Sequence, residues 1–216
     1  MKKNKTLSAF IICCFCSVLT FAQQFSADEK RVFDSQNVIF YGYDFSHFKL
    51  ADAHFEYGWS VKKIIPAWVG FLNHHTTQES LQKRFKKEKV EFNFDYVTQI
   101  NNSLKDENLI TSTKYTFPID DIQNIIRRYK LTEKSGIGFV VNIECFEKET
   151  KKCSGYYTFF DIETKKVLMS DYFVAKEADG YGLEHYWGTG LNATFGKYVA
   201  DVYRKKLKAY LALNNK

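Results

Sequence analysis

Residues 37–213 read as an α+β domain: a mixed, mainly antiparallel sheet with a C-terminal β-meander, flanked by helices and ending in a long amphipathic helix. Three observations predict this class. Alternating apolar runs separated by short polar turns fill 137–176, the pattern of antiparallel strands joined by hairpins. Apolar residues at helical spacing mark 61–72, 119–129 and 187–202, each a stripe that faces a core. The chain holds only two prolines, Pro66 and Pro118, and no Ser/Gly-rich tract, which argues against linkers and disorder.

The first element is a strand over 37–45. Val38 and Phe40 point one way and Ile39, Tyr41 and Tyr43 the other, so both faces are apolar and both should be covered. Residues 46–60 follow as a polar and aromatic loop. Val61, Ile64, Ile65, Trp68 and Leu72 form a helical stripe, with Pro66 expected in the first turn, where its missing N–H is harmless. Thr76 and Glu79 fit a capping box, so a second helix should begin near Thr77 and turn Leu81 and Phe85 inward. A strand is expected over 90–96 and a short helix over 97–104. Pro118 opens a helix carrying Ile119, Ile122, Ile125, Ile126 and Tyr129, which Ser135-Gly136 breaks. Strands 137–147, 153–162 and 167–176 form the meander. In the first of them Phe139, Val141, Ile143 and Cys145 share a face. The last helix runs from about 183 to 213 with Trp187, Leu191, Phe195, Tyr198 and Val202 inward. Small residues at 188, 192, 196 and 200 should let it approach a neighbour closely.

Residues 1–22 read as a cleaved signal peptide: a basic start with Lys2, Lys3 and Lys5, an apolar run over 7–21, and Thr20-Phe21-Ala22 before a cut at Gln23. This is the secretory order. The apolar run is shorter than the roughly 20 residues of a membrane-spanning helix. Cys13, Cys14 and Cys16 lack the small preceding residue of a lipid-modified cysteine. Cleavage leaves a lead-in over 23–36 and one domain over 37–213, periplasmic or secreted, with no transmembrane segment. The three signal lysines take the formal charge from +6 to +3, a mild excess that gives no case for nucleic-acid binding.

Val38-Ile39-Phe40, the run from Gly136 through Ile143, and Phe160-Asp161-Ile162-Glu163-Thr164-Lys165-Lys166-Val167-Leu168 carry a resemblance. In order of elements the chain is similar to a family of envelope α/β domains. That family includes the N-terminal domain of the Tol-system translocation protein, the curli-secretion lipoprotein and the lipoprotein activators of penicillin-binding proteins. The Asp-Ile-Glu-Thr-Lys-Lys-Val-Leu turn resembles a hairpin common there, with Lys165 in place of the usual glycine. The resemblance implies a non-catalytic domain that works by protein contact, and it implies no active-site residues.

Six features remain as candidate sites. Cys145 and Cys153 flank a turn; centred on Glu149, it would set them opposite each other, with Ile143 facing Gly155, Val141 facing Tyr157 and Phe139 facing Phe159. That separation admits a disulfide, and a pair of reduced thiols is the alternative. Asp44, His47, Asp52 and His54 cluster after the first strand, where open α/β sheets often bind ligands, although their spacing matches no metal motif. His74-His75 are adjacent and diverge by about 100° on a helix, so they do not make a chelating pair. Lys83, Arg84, Lys86, Lys87 and Lys89 form a basic run that either meets anionic glycan or lipid or is a solvated helix face. Gly180 and Gly182, with Gly188 and Gly190, make glycine-rich turns without a phosphate motif. Tyr181, His185, Tyr186 and Trp187, together with Trp59, are either an aromatic contact surface or core. No nucleophile elbow is present, and no cofactor is implied.

Two functions fit. The first is an exported, non-catalytic envelope domain that binds a protein partner. The second is a small-molecule or glycan-binding protein, enzymatic or not, with a site where 44–59 and 181–187 converge.

Overall fold

The structure, a computed structural model, describes residues 25–51, 60–175 and 183–214. The signal segment therefore lies outside the described residues, as do Asp52, His54, Trp59, Tyr181 and the turn at Gly180 and Gly182. The elements in chain order are α1 (Ala27–Asp34), β1 (Asn37–Asp44), β2 (Lys49–Ala51), α2 (Val61–His75), α3 (Gln78–Phe85), β3 (Lys89–Phe92) and α4 (Asp95–Asn102). There follow β4 (Ile110–Thr111), α5 (Ile119–Arg127), β5 (Ile137–Glu147), β6 (Lys152–Asp161), β7 (Val167–Val174), α6 (Leu183–Tyr198) and α7 (Arg204–Asn214).

The strand β5 organises the sheet. Along one edge it pairs first with β1 and then with β2, both parallel to it. The strands β3 and β4 extend that side, again in parallel. Along its other edge β5 pairs antiparallel with β6, and β6 with β7. The meander is as expected, but the sheet is not mainly antiparallel: every pairing outside the meander is parallel. The parallel half depends on crossovers through α2–α3 and α4–α5, and long crossovers leave no local signature of which strands they bring together.

Both faces of the sheet are covered. On the first, Phe40, Phe139, Val141, Tyr157 and Phe159 pack against Trp68, Phe85, Phe195 and Tyr203. On the second, Tyr41, Val140, Tyr156 and Phe160 pack against Val97, Ile122, Ile125 and Ile126. The expected lead-in is part of this core. Ser26 and Glu29 make a full capping box at the start of α1, and Phe33 stacks on Tyr210 at 5.3 Å. Arg31 pairs with Asp161, fastening α1 to the end of β6.

Several boundaries differ from the sequence reading for identifiable reasons. Ser60 caps α2, so Pro66 lies inside the helix rather than in its first turn. Thr77, not Thr76, caps α3, accepting from Ser80 N–H; the Thr76 hydroxyl instead meets the Tyr43 hydroxyl at 2.9 Å. The helix α5 ends at Arg127, before Ser135-Gly136, and Ile119 is exposed. Between α6 and α7 lies a π-helical turn, Val199–Tyr203. It inserts a residue into the 3.6-residue period, so Tyr203 is buried in the position expected of Val202. Gly188 does mark a close approach, against Phe71 of α2, whereas Gly196 has nothing near it. Lys165 adopts φ 57°, a left-handed conformation that ordinarily favours glycine.

Among the described residues, no helix is long and apolar enough to cross a membrane.

Candidate functional site

After β1 and β2 the next helices, α2 and α3, pack on the first face, and after β3 the helices α4 and α5 pack on the second. Adjacent parallel strands whose connections depart to opposite faces open a crevice at their carboxyl ends. Two bulges shape this end of the sheet. One lies in β1 between Phe40 and Tyr43, where Gly42 takes φ 93°. The other lies in β5 between Ile143 and Cys145. The first turns Asp44 onto the second face, where Asn142 and Glu144 lie by alternation from Val140; the second takes Cys145 out of that alternation.

Asp44, 2% exposed, accepts Ser46 N–H on Oδ1 at 2.7 Å. Its Oδ2 accepts the Tyr129 hydroxyl and, at 3.2 Å, Asn142 Nδ2. Glu144, 0% exposed, accepts Phe117 N–H at 2.9 Å, the Ser154 hydroxyl at 2.7 Å and the Tyr172 hydroxyl at 3.0 Å. Tyr156 completes this side by donating to the Phe117 carbonyl at 3.0 Å. Each carboxylate thus holds three hydrogen bonds from neutral donors. Burying a charge is costly unless such bonds replace its hydration. Here the bonds tie β1, β5, β6 and β7 to Tyr129, which follows α5, and to the 112–118 segment.

The phenols are kept in the donating form. Burial, reinforced by the Asp44 charge and hydrogen bond, raises Tyr129 well above the usual phenol range. Burial and Glu144 push Tyr172 up to about 12, against a lowering contribution from Ser154. His47 is half-buried beside Asp44, with Nδ1 2.8 Å from Ser46 Oγ. Burial lowers its pKa, and the Asp44 charge opposes that shift. Chemically, the cluster is an internal polar network whose carboxylate oxygens are taken up by donors of the same fold. Asn142 Oδ1, also buried, has no partner among the described residues.

The predicted sites separate on this frame. His47 sits in the network, and Asp44 is buried rather than surface. Trp187 is core, stacked on Phe146 at 4.7 Å; Tyr186 is half-buried and His185 exposed. His185 rests on Phe71 of α2 at 5.0 Å, on the first face, so it does not converge with Asp44 on the second. Cys145 and Cys153 are both free. The pairs Ile143–Gly155, Val141–Tyr157 and Phe139–Phe159 hold, but beyond Glu144 the register slips, and Cys145 opposes Ser154 while Phe146 opposes Cys153. The bulge thereby takes Cys145 off the face it was expected to share with Phe139 and leaves Cys153 in the first-face core. Burial raises both thiols.

His75 Nδ1–H donates to the Phe71 carbonyl at 2.8 Å, a helix-end contact. Among the described residues, no three or more His, Cys, Asp and Glu side chains are placed to hold a metal ion. The basic run is divided. Lys87 is buried, donating to the carbonyls of Val32 and Ser35 at 2.6 Å each, and so closes the end of α1. Lys83, Lys86 and Lys89 are exposed.

Tyr129, Asn142 and Glu144 were not singled out from the sequence. Their signal was available: Asn142 and Glu144 are polar interruptions of a strand whose neighbours are apolar on both faces, and such groups need partners. Comparison with protein-family models, with curated proteins and with solved structures finds no match to the chain.

Proposed function

We propose that the chain is an exported, non-catalytic domain of the cell envelope that acts through protein contact, and that the outer edge of β7 is its contact surface. The observation that carries this reading is the state of that edge. Among the described residues β7 pairs only with β6. Tyr172 and Val174 are 47% and 54% exposed. Edge strands are ordinarily guarded by lysine, proline or a bulge. At the start of β7 a bulge at Leu168 and the bond from Val167 N–H to Gln123 Oε1 at 2.9 Å close the edge. From Met169 to Val174 there is no lysine or proline, and the one charge, Asp171, is engaged by Lys206 at 2.7 Å and by the Tyr198 hydroxyl at 3.0 Å. That open stretch, with Tyr172 and Val174 exposed on one face, suits addition of a partner's strand, main chain supplying affinity and side chains specificity.

The buried network supports the non-catalytic part, since Asp44 and Glu144 are saturated by their own fold. The signal pattern of 1–22 and the resemblance in element order support the compartment. The test is a photo-crosslinking phenylalanine analogue at position 172 in the exported protein. An envelope protein should be captured, and Val174→Lys on a folded chain should abolish the capture. Capture of nothing, or capture indifferent to Val174→Lys, refutes the reading.

A further inference from the structure

The basic run does not act alone. Arg204, about 120 residues downstream, folds back onto α3: its Nε donates to the Arg84 carbonyl at 3.2 Å and its Nη2 to the Lys83 carbonyl at 3.1 Å. Arg84 is itself held over the Phe195 ring at 5.6 Å. The guanidinium groups are therefore positioned by the fold rather than free to sample. Thr77, Glu79, Ser80, Lys83, Arg84 and Arg204 line a shallow groove of about 410 Å³. Lys86, Lys205 and Lys208 are exposed on the same two elements. Acids on or beside this face include Glu79, the exposed Glu88 just after α3, and Asp201, the last 3.9 Å from Lys205. Lys206 turns away, toward Asp171 and Glu29.

Along α7 the exposed stripe continues from Arg204 and Lys208 to Leu211. Leu211 is 44% exposed. Cations followed by an exposed leucine on one helix face match a surface with phosphates outside and hydrocarbon beneath. A soluble glycan or a nucleic acid would use the cations and leave Leu211 unexplained.

We propose that the face formed by α3 and α7 docks on an anionic lipid bilayer, with Lys83, Arg84, Arg204, Lys205 and Lys208 on headgroup phosphates and Leu211 at the acyl boundary. This is independent of the β7 edge, which lies elsewhere on the fold.

The test is co-sedimentation of the full chain with phosphatidylcholine vesicles, alone or with phosphatidylglycerol. Residues 1–22 are common to every variant and cancel in the comparison. The patch variant is Lys83→Glu, Lys205→Glu and Lys208→Glu. Its charge-matched control is Lys105→Glu, Lys114→Glu and Lys134→Glu, all exposed. The wild type should prefer anionic vesicles. The patch variant should lose on the order of a hundredfold in that binding, given the contribution of each lysine at a membrane surface, and the control should lose far less. Leu211→Asn should weaken what binding remains at high salt, where charge is screened. Equal loss in both triple variants, or no preference for anionic vesicles, overturns the proposal. So does a result in which the patch variant loses binding to heparin but keeps its binding to vesicles, which would make the face a glycan site.

Discussion

Two glycines on α6 give the most direct test of the packing described above, because the same substitution should have opposite signs at them. Alanine stabilises a helix interior over glycine by about 1 kcal/mol. At Gly196 an added Cβ has no atom within 4 Å, so Gly196→Ala should raise stability by nearly that amount. At Gly188 the Cβ would fall well inside 3.0 Å of the Phe71 ring. Phe71 would have to leave its contacts with His75 at 4.3 Å and His185 at 5.0 Å. Overpacking of this kind costs about 1–3 kcal/mol, so Gly188→Ala should be a net loss of about 1 kcal/mol. The two variants should then differ by about 2 kcal/mol, or about 1 M in urea midpoint at a typical slope. In a Phe71→Ala background the obstacle is gone, and Gly188→Ala should become stabilising. Equal shifts for the two glycines, or a penalty that survives Phe71→Ala, would refute the close approach of α2 and α6.

Three further outcomes follow from the buried polar groups. Burial pushes Lys87 down to about 8, with Asp34 opposing the shift. The unfolded chain therefore binds the extra proton between about pH 8 and 10.5, so this lysine's contribution to stability rises through that window, by up to about 3 kcal/mol. Unfolding free energies of wild type minus Lys87→Met, measured across the window, should climb; a flat difference removes the effect. Cys145 and Cys153 should resist thiol reagents until the chain unfolds, and oxidation of the folded protein should give no intramolecular loss of two hydrogens by mass spectrometry. Glu144→Gln replaces an acceptor of three bonds with a group that must also donate, and should cost about 1–3 kcal/mol in denaturant titration, whereas Glu149→Gln in the adjacent turn should cost almost nothing.

What the sequence reveals here depends on range. Strands β5, β6 and β7 are legible because alternation and short polar turns are local, and three of their side-chain pairs can be assigned from spacing alone. The helix α3 is legible to within one residue because its capping signal is local too. The parallel pairing of β1 with β5 is not, since nothing near Val38 or Phe139 states that they will be neighbours. The helix α1 carries an equally local signal: Ser26 and Glu29 spell a capping box, although they stand directly after the signal-peptide pattern. Aromatic residues are the hardest case. Trp187 and Tyr172 each sit beside another aromatic residue in sequence, yet one is stacked in the core and the other half out in solvent, because tertiary neighbours decide which amphipathic ring finds cover.

The remaining misplacements share one mechanism. Period-based reasoning assumes two residues per strand repeat and 3.6 per helical turn, and a single extra residue reverses or rotates everything after it. The β1 bulge delivers Asp44 to the second face, where Tyr129 and Asn142 can bond it. The β5 bulge leaves Glu144 facing Ser154 and Tyr172, and the same shift separates Cys145 from Cys153. The π-helical turn moves burial from Val202 to Tyr203 and, at its end, presents Arg204 to α3. The buried network and the basic face thus both depend on insertions that a pattern cannot count. In the bulged register the residue opposite Cys145 is Ser154. Moving the second thiol by one position, with Ser154→Cys in a Cys153→Ser chain, should therefore place it across the ladder from Cys145, within the range a disulfide spans. If that variant forms the disulfide under oxidising conditions while wild type does not, the bulged register is what keeps the native thiols apart. If neither forms it, register is not the deciding factor.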